Sequence, residues 1–333
     1  MFLHMDYNTI EKNETKEESY LHIYILVASE KEGWVVIQSP ALKETLNKTI
    51  NRGKTVIELP KLLKSTNITG VENKGINLKA SVPVSVFGYN EELSNRKYFM
   101  LFLLTVYLQI LIVIQIREQL IPINKWGNEF IVPFLNFKDP KSILRIVANE
   151  SNTRVLVVDN STSTSRALSH GNFIDIQMTT DGPLYVNSNR PIQVSLIVNG
   201  AFSRSRNGFM SLVPSLNHYK DVYWFIVPRS HMHENYELGC WEPGTIKKTR
   251  IIAITAELNV INDILYDNSQ LPVNSTVRSI HVGDKTYSTI SFRATEDYHT
   301  LHSNSGSERF GVIIYGACYS HLYGYGFPGG INS

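Results

Sequence analysis

The chain has 333 residues, 43% of them hydrophobic and 19% charged, with a formal net charge of +2. That is length for two or three domains and apolar content for ordinary cores, so the chain is not disordered as a whole. Charges of both signs are scattered along it, which excludes nucleic acid and acidic polymers as partners because either needs a basic face.

Residues 1–19 read as a polar lead-in carrying the charged run EKNETKEE. There is no basic start, long apolar stretch and small-residue cleavage site, so no signal peptide is expected. A first β unit is expected over 20–95. LHIYILVA (Leu21–Ala28) and WVVIQS (Trp34–Ser39) flank the Glu32–Gly33 turn and predict a hairpin. KTVIEL (Lys54–Leu59) alternates, with Val56 on one face and Thr55 and Ile57 on the other. Ile76–Ala80 and Val84–Phe87 complete the unit. Pro83 lies between them, where a residue that fixes φ and donates no hydrogen bond suits a strand start or an edge.

Residues 96–118 break the pattern. Tyr98–Ile116 carries no charge over 19 positions, roughly 28 Å as a helix and close to the thickness of a bilayer core. An apolar helix is expected here, and hydropathy offers a transmembrane segment as one reading of it. The flanking Arg96, Lys97, Arg117 and Glu118 give no orientation. Topology opposes a span, because sister β units would then lie in different compartments. A buried helix, or a stretch standing in place of a lost β unit, are the competing readings.

A second β unit is expected over 119–228. Pro122 and the Trp126–Gly127 turn lead into Phe130–Pro133. Ile143–Ala148 and Arg154–Val158 predict a hairpin across Asn149–Thr153, Phe173–Met178 a further strand, and Pro191 introduces Ile192–Val198. In that last run Ile192, Val194 and Leu196 share a face by period 2, which turns Gln193 and Ser195 outward. Residues 229–248 read as a long loop. A third unit over 249–333 starts with RIIAITA (Arg250–Ala256), continues at Thr289–Arg293 and closes at Phe310–Tyr315; its Gly- and Tyr-rich tail YGYGFPGG is expected to cap the last sheet edge.

Several phrases recur. YVNSNRPIQVSLIVNG has an earlier counterpart in NLKASVPVSVFGYN and a weaker later one in SGSERFGVIIYGA, while QLIPINKWGNEFIVPFL is restated as LVPSLNHYKDVYWFIVP. Repetition at intervals of about 80–110 residues marks an array of similar units. Strand spacing with turn punctuation makes the fold class all-β: tandem antiparallel β-repeat modules, sandwich-like or propeller-like.

No stretch assembles a reactive site. His231, His233, Glu234 and Cys240 fall in one loop but lack the paired spacing of a metal centre, and solvated histidines are the expected reading. Gly324, Gly326 and Gly329 formally satisfy GxGxxG, yet Pro328 interrupts the motif and a dinucleotide site is not expected. No serine sits in a GxSxG elbow. No catalytic, cofactor-binding or metal-binding residue is therefore assigned. Trp34, Trp126, Trp224 and Trp241 invite a carbohydrate-stacking reading, against which core or hairpin packing is the expectation. Cys240 and Cys318 form a candidate disulfide beside the alternative of a buried thiol at Cys318. Asn-x-Ser/Thr sequons at Asn13, Asn47, Asn67, Asn149, Asn160 and Asn274 exceed the chance number for this composition and favour the secretory pathway.

QLIPINKWGNEFIVP, LRIVANESNTRVLVV, LYVNSNRPIQVSLIV and FGVIIYG, with the terminal YGYGFPGG, together resemble the IgGFc-binding protein N-terminal domain family. LHIYILVASEKEGWVVIQSP, GKTVIELP and KASVPVSVFGYN look like that domain's first part. The resemblance implies a secreted, non-enzymatic domain of large mucus-type or cell-surface adhesive proteins, often joined to von Willebrand factor type D or similar modules. It carries no binding residue onto this chain. Two departures stand out: a β unit that members carry between FGYN and EQLIP is missing, with Tyr98–Ile116 in its place, and the usual signal peptide and first strand are read as absent or degraded, as expected of a fragment. The function expected is an extracellular interaction or adhesion module whose partners are protein or glycan ligands and other modules of a larger protein, without nucleic acid; a membrane-anchored receptor-like protein using Tyr98–Ile116 and a carbohydrate-binding module are the alternatives.

Overall fold

The computed structural model describes residues 18–27, 32–63, 76–96, 110–135, 141–178, 182–199, 209–227, 241–242, 245–246, 248–295, 297–318 and 323–329. These form antiparallel β-sheet linked by turns and single 3-10 turns, divided into two compact units, residues 1–120 and 121–333.

The first unit holds β1 (Glu18–Val27), β2 (Gly33–Gln38), β3 (Leu46–Ile50), β4 (Gly53–Leu59), β5 (Asn77–Ala80), β6 (Val84–Arg96) and β7 (Ile110–Leu120). They make two sheets, ordered β4-β1-β6-β7 and β3-β2-β5. Ile23, Ile25, Ile57 and Val86 from the first sheet meet Val35, Ile37 and Ile50 from the second, so the unit is a sandwich with an aliphatic core. The expected hairpin between Leu21–Ala28 and Trp34–Ser39 is not formed. β1 and β2 lie in different sheets, because alternate residues of both strands must reach one core between the layers.

The expected apolar helix over Tyr98–Ile116 is also corrected. Ile110–Leu120 is a strand that pairs along its whole length with β6, from Val86↔Leu120 to Arg96↔Ile110; residues 97–109 lie outside the described residues. A short apolar run does not by itself tell helix from buried strand. The β-branched residues of ILIVIQI favour extended backbone, and β6 offers it an open ladder. Among the described residues no helix is long and apolar enough to cross a membrane.

The second unit holds β8 (Gly127–Val132), β9 (Lys141–Ala148), β10 (Thr153–Val158), β11 (Ser163–Leu168), β12 (Phe173–Met178), β13 (Leu184–Asn199), β14 (Phe209–Leu212) and β15 (Val222–Val227). After two short pairs of residues, β16 (Trp241–Glu242) and β17 (Thr245–Ile246), come β18 (Lys248–Glu257), β19 (Ile264–Tyr266), β20 (Ser269–Gln270), β21 (Thr276–Val282), β22 (Lys285–Arg293), β23 (Asp297–Ser303), β24 (Gly311–Cys318) and β25 (Tyr323–Pro328). β9 and β10 do not form the expected hairpin. β13 lies between them, in the order β11-β10-β13-β9-β12, and is long enough to pair β10 through residues before Pro191 and β9 through residues after it. Ser195 is buried rather than outward, against Arg145 of β9 and Leu212 of β14 in register.

One pairing scheme recurs three times. β4-β1-β6, β12-β9-β13 and β22-β18-β24 are antiparallel triplets with the same chain order. β3-β2-β5, β11-β10-β13 and β20-β19-β23 are the companion triplets. The restated turn-strand phrases are alike in structure: a 3-10 turn at Ile123–Lys125 leads through Trp126 to β8, and one at Leu216–His218 leads through Tyr219 to β15. The tail phrase forms β25, the edge strand beside β24. Its glycines have a packing reason: a Cβ on Gly326 would stand 2.2 Å from the Phe209 ring, which stacks on Tyr315.

Candidate functional site

β15, β23, β19 and β20 form a four-stranded sheet in that order, with β15 at its edge. Alternation puts Tyr223, Phe225 and Val227 of β15 and Leu301 of β23 into the core with Ile264 and Phe310. The start of β15 is pinned from below. Lys220 and Phe310 exchange both backbone hydrogen bonds, and the Tyr223 hydroxyl donates to the Phe310 carbonyl at 2.5 Å. Burial holds that phenol protonated by pushing its pKa well above the ordinary range. Ahead of it, Ser215 Oγ and His218 Nδ1 lie 2.7 Å apart inside the turn. The His218 ring is held neutral, its pKa lowered by burial and by the charges of Lys125 and Lys220.

With that face committed, the alternate residues point to solvent, and they are also apolar. Trp224 is 64% exposed, Ile226 65% and Tyr298 56%. Ile226 sits directly across from Tyr298 in the ladder and Trp224 across from Thr300. Partners this close on one face form a continuous patch. Large exposed aromatic and aliphatic groups grouped on one face are uncommon on a surface that meets only water and mark an interaction site. Trp and Tyr are the side chains that most often anchor such contacts.

His299, one residue along from Tyr298, turns the other way and is buried. Its Nδ1 lies 2.8 Å from both Asp267 Oδ2 and the Tyr266 hydroxyl, and its Nε2 lies 3.2 Å from the Thr295 carbonyl and 3.3 Å from the Thr295 hydroxyl. Asp267 and Asn268 both take positive φ in the tight turn between β19 and β20, a conformation Asp and Asn tolerate, and Asp267 Oδ1 accepts from the Thr300 amide at 2.8 Å. Burial and the Asp267 charge push the Tyr266 phenol up to about 12. A Thr–His–Asp row invites comparison with a nucleophilic triad, but Thr295's own carbonyl occupies Nε2 as an acceptor. The ring therefore clamps the turn to β23 and holds the strand that presents Tyr298.

The sequence-predicted residues scatter. The expectation of core or hairpin packing for the tryptophans of the repeated phrases holds for Trp126, which is buried and donates from Nε1 to the Ile121 carbonyl at 3.2 Å. It is corrected for Trp34 and Trp224, both more than half exposed. Among the sequons, Asn47, Asn160 and Asn274 are exposed and Asn149 is half-buried; the Asn160 amide nitrogen already donates to the Ser279 carbonyl at 3.2 Å. Asn13, Asn67, His231, His233, Glu234 and Cys240 lie outside the described residues, and with Cys240 the candidate pairing to Cys318. The Trp224–Ile226–Tyr298 patch was not singled out from the sequence. The available signal was the run VYWFIV, which stays apolar at the positions where a half-buried strand turns polar.

The sequence pattern of the IgGFc binding protein family matches residues 27–316. A human protein named IgGFc-binding protein (Homo sapiens) is 21% identical over 201 residues, which is 60% of this chain. The chain spans 3% of that relative's own length. No solved structure matches the chain. With its three β modules and nearly all of its length covered by the pattern, the chain belongs to the IgGFc binding protein family.

Proposed function

We propose that the chain is a non-enzymatic extracellular binding module that takes a protein ligand on the outer face of the β15-β23-β19-β20 sheet. The observation that carries this reading is the row of Trp224, Ile226 and Tyr298, exposed on strands that send Tyr223, Phe225, Val227 and Leu301 into the core. Membership of a family named for binding supports it. The relative's name makes the Fc part of immunoglobulin G the first ligand to try; mucus-type and cell-surface glycoproteins are the second, in keeping with an adhesive role beside other modules of a larger protein.

The test is biolayer interferometry of the purified chain over immobilised Fc, Fab and mucin-type glycoprotein, with Trp224→Ala/Ile226→Ser in parallel. Saturable binding to one surface that the double variant loses supports the reading. Binding that the double variant keeps sinks the assignment of the face, and silence on every surface sinks the ligand class. Turnover in an activity panel, abolished by one substitution, overturns the non-enzymatic reading. Glycan mapped to Asn47 or Asn274 on secreted material, and a Cys240–Cys318 peptide in a non-reducing digest, are the matching tests of the extracellular assignment.

A second reading, a carbohydrate-binding module, is favoured by the exposure of Trp34 and Trp224, since flat indole faces stack on sugar rings. Trp fluorescence that no sugar moves, together with a silent glycan array, removes it.

A further inference from the structure

In two of the three repeated modules the companion triplet gains a fourth strand. β8 flanks the first half of β13, and β15 flanks β23. The counterpart in the first module is β5, and among the described residues β2 is its only strand neighbour. Pro83 corresponds to Pro191. Leu78, opposite Ile37, then corresponds to Val186, opposite Val157, and to Leu301, opposite Tyr266. Ala80, opposite Val35, corresponds to Ser188, opposite Val155.

The matched positions differ in cover. Val186 faces Phe130 of β8 and Leu301 faces Tyr223 of β15, and both are 0% exposed. Leu78, Ala80, Val82 and Val84 are only partly buried. The cores containing β8 and β15 take Phe130, Tyr223 and Phe225 from those strands, whereas the buried residues of the first module's core are all aliphatic. The backbone agrees. Ser81 N–H donates to the Trp34 carbonyl at 3.0 Å. Residues two apart in an antiparallel ladder turn the same way, so Ser81 and Lys79 serve β2 while Leu78 and Ala80 turn their amides to the open side.

We infer that the open edge of β5 is an acceptor for the turn-strand segment of another module of this type, added in trans as an antiparallel strand with an aromatic side chain over Leu78. The chemistry of the occupant is set by the two internal examples: a proline, one 3-10 turn, then an alternating strand whose inward residue is aromatic, as in Ile121–Pro133 and Leu212–Pro228. Strand addition supplies affinity through main-chain hydrogen bonds and specificity through alternate side chains. Pro83 does not obstruct it, because β8 pairs β13 up to Asn187 and shifts register before Ile192, across the matching Pro191.

The test uses the full chain and a synthetic peptide of residues Ile121–Pro133. Saturable binding is expected, with slowed hydrogen exchange at the Leu78 and Ala80 amides. Ala80→Pro, which removes an outward amide and leaves the β2 ladder intact, should weaken binding about tenfold or more, as should Phe130→Ser in the peptide, by lost hydrogen bonds or lost burial. The peptide variant keeps the test decisive if Ala80→Pro does not fold. No binding, or binding without protection at Leu78 and Ala80, overturns the inference. So does protection of those amides that is present before peptide is added and survives dilution, because the chain's own residues then cover the edge; protection that dilution removes is a second copy added in trans and supports the inference.

Discussion

Ile251–Ile254 of β18 and the whole of β15 are apolar, and they meet opposite fates. In β18, Ile252, Ile254 and Ala256 pack into the core shared with β15, β19 and β22, while Ile251 and Ala253 pack on the other side with Val194, Leu196 and Phe209. In β15, Tyr223, Phe225 and Val227 are core, and Trp224 and Ile226 meet solvent. A strand that is apolar on both faces needs two covers. β18 and β24 have both, because their sheet stands between two cores. Among the described residues the β15 face has one, and its outer residues Trp224 and Ile226 stay exposed.

The largest expected effect lies on the doubly covered side. Tyr315 of β24 is 0% exposed and stacks on Phe209; Tyr315→Ala should lower unfolding stability by about 3–5 kcal/mol in chemical denaturation. Loss below 1 kcal/mol would mean that β24 has only one real cover. Asp175→Asn comes next. Asp175 takes two hydrogen bonds from Arg145, at 2.7 and 2.6 Å, and Arg145 is buried under the Phe173 ring at 4.3 Å. Removing the counter-charge should cost about 3 kcal/mol, because the guanidinium stays buried.

Gly326→Ala forces a methyl into the Phe209 ring and should cost about 1–3 kcal/mol as overpacking, with partial rescue by Phe209→Leu. On the open side, Trp224→Ala should change stability by no more than about 0.5 kcal/mol; a larger loss would show that Trp224 has a cover after all and bring β15 back into line with β18. The smallest effect is the pH dependence set by His218. Its lowered pKa means that the neutral ring's contribution is complete above the ordinary value of 6.5 and is lost as pH falls from there through the folded value. His218→Gln should flatten the stability curve in that window.

Much of the architecture was legible. Alternation located Lys54–Leu59 and Ile192–Val198, apolar content located Phe173–Met178, and the echo of VPSLNHYKDVYWFIVP with IPINKWGNEFIVP foretold two like turn-strand elements. The errors share a cause. Both hairpins were assigned between neighbours in sequence, whereas β1 and β2 answer to different sheets and β13 comes between β9 and β10 from much later in the chain. Tyr98–Ile116 suggested a helix because a run with no polar face carries no period to read, and only the ladder on β6 makes Ile110–Leu120 a strand. The candidate site was illegible for the same reason: VYWFIV does not say which of its residues a second layer covers.

What the residues by themselves determined was an all-β chain of repeated, proline-punctuated units, since side-chain branching, turn chemistry and period 2 act within a few residues. What only the tertiary structure decided was which positions are covered, at Trp224, at Leu78 and at Ser195. Cover is supplied by strands far away in sequence, and a local pattern holds no information about whether they arrive.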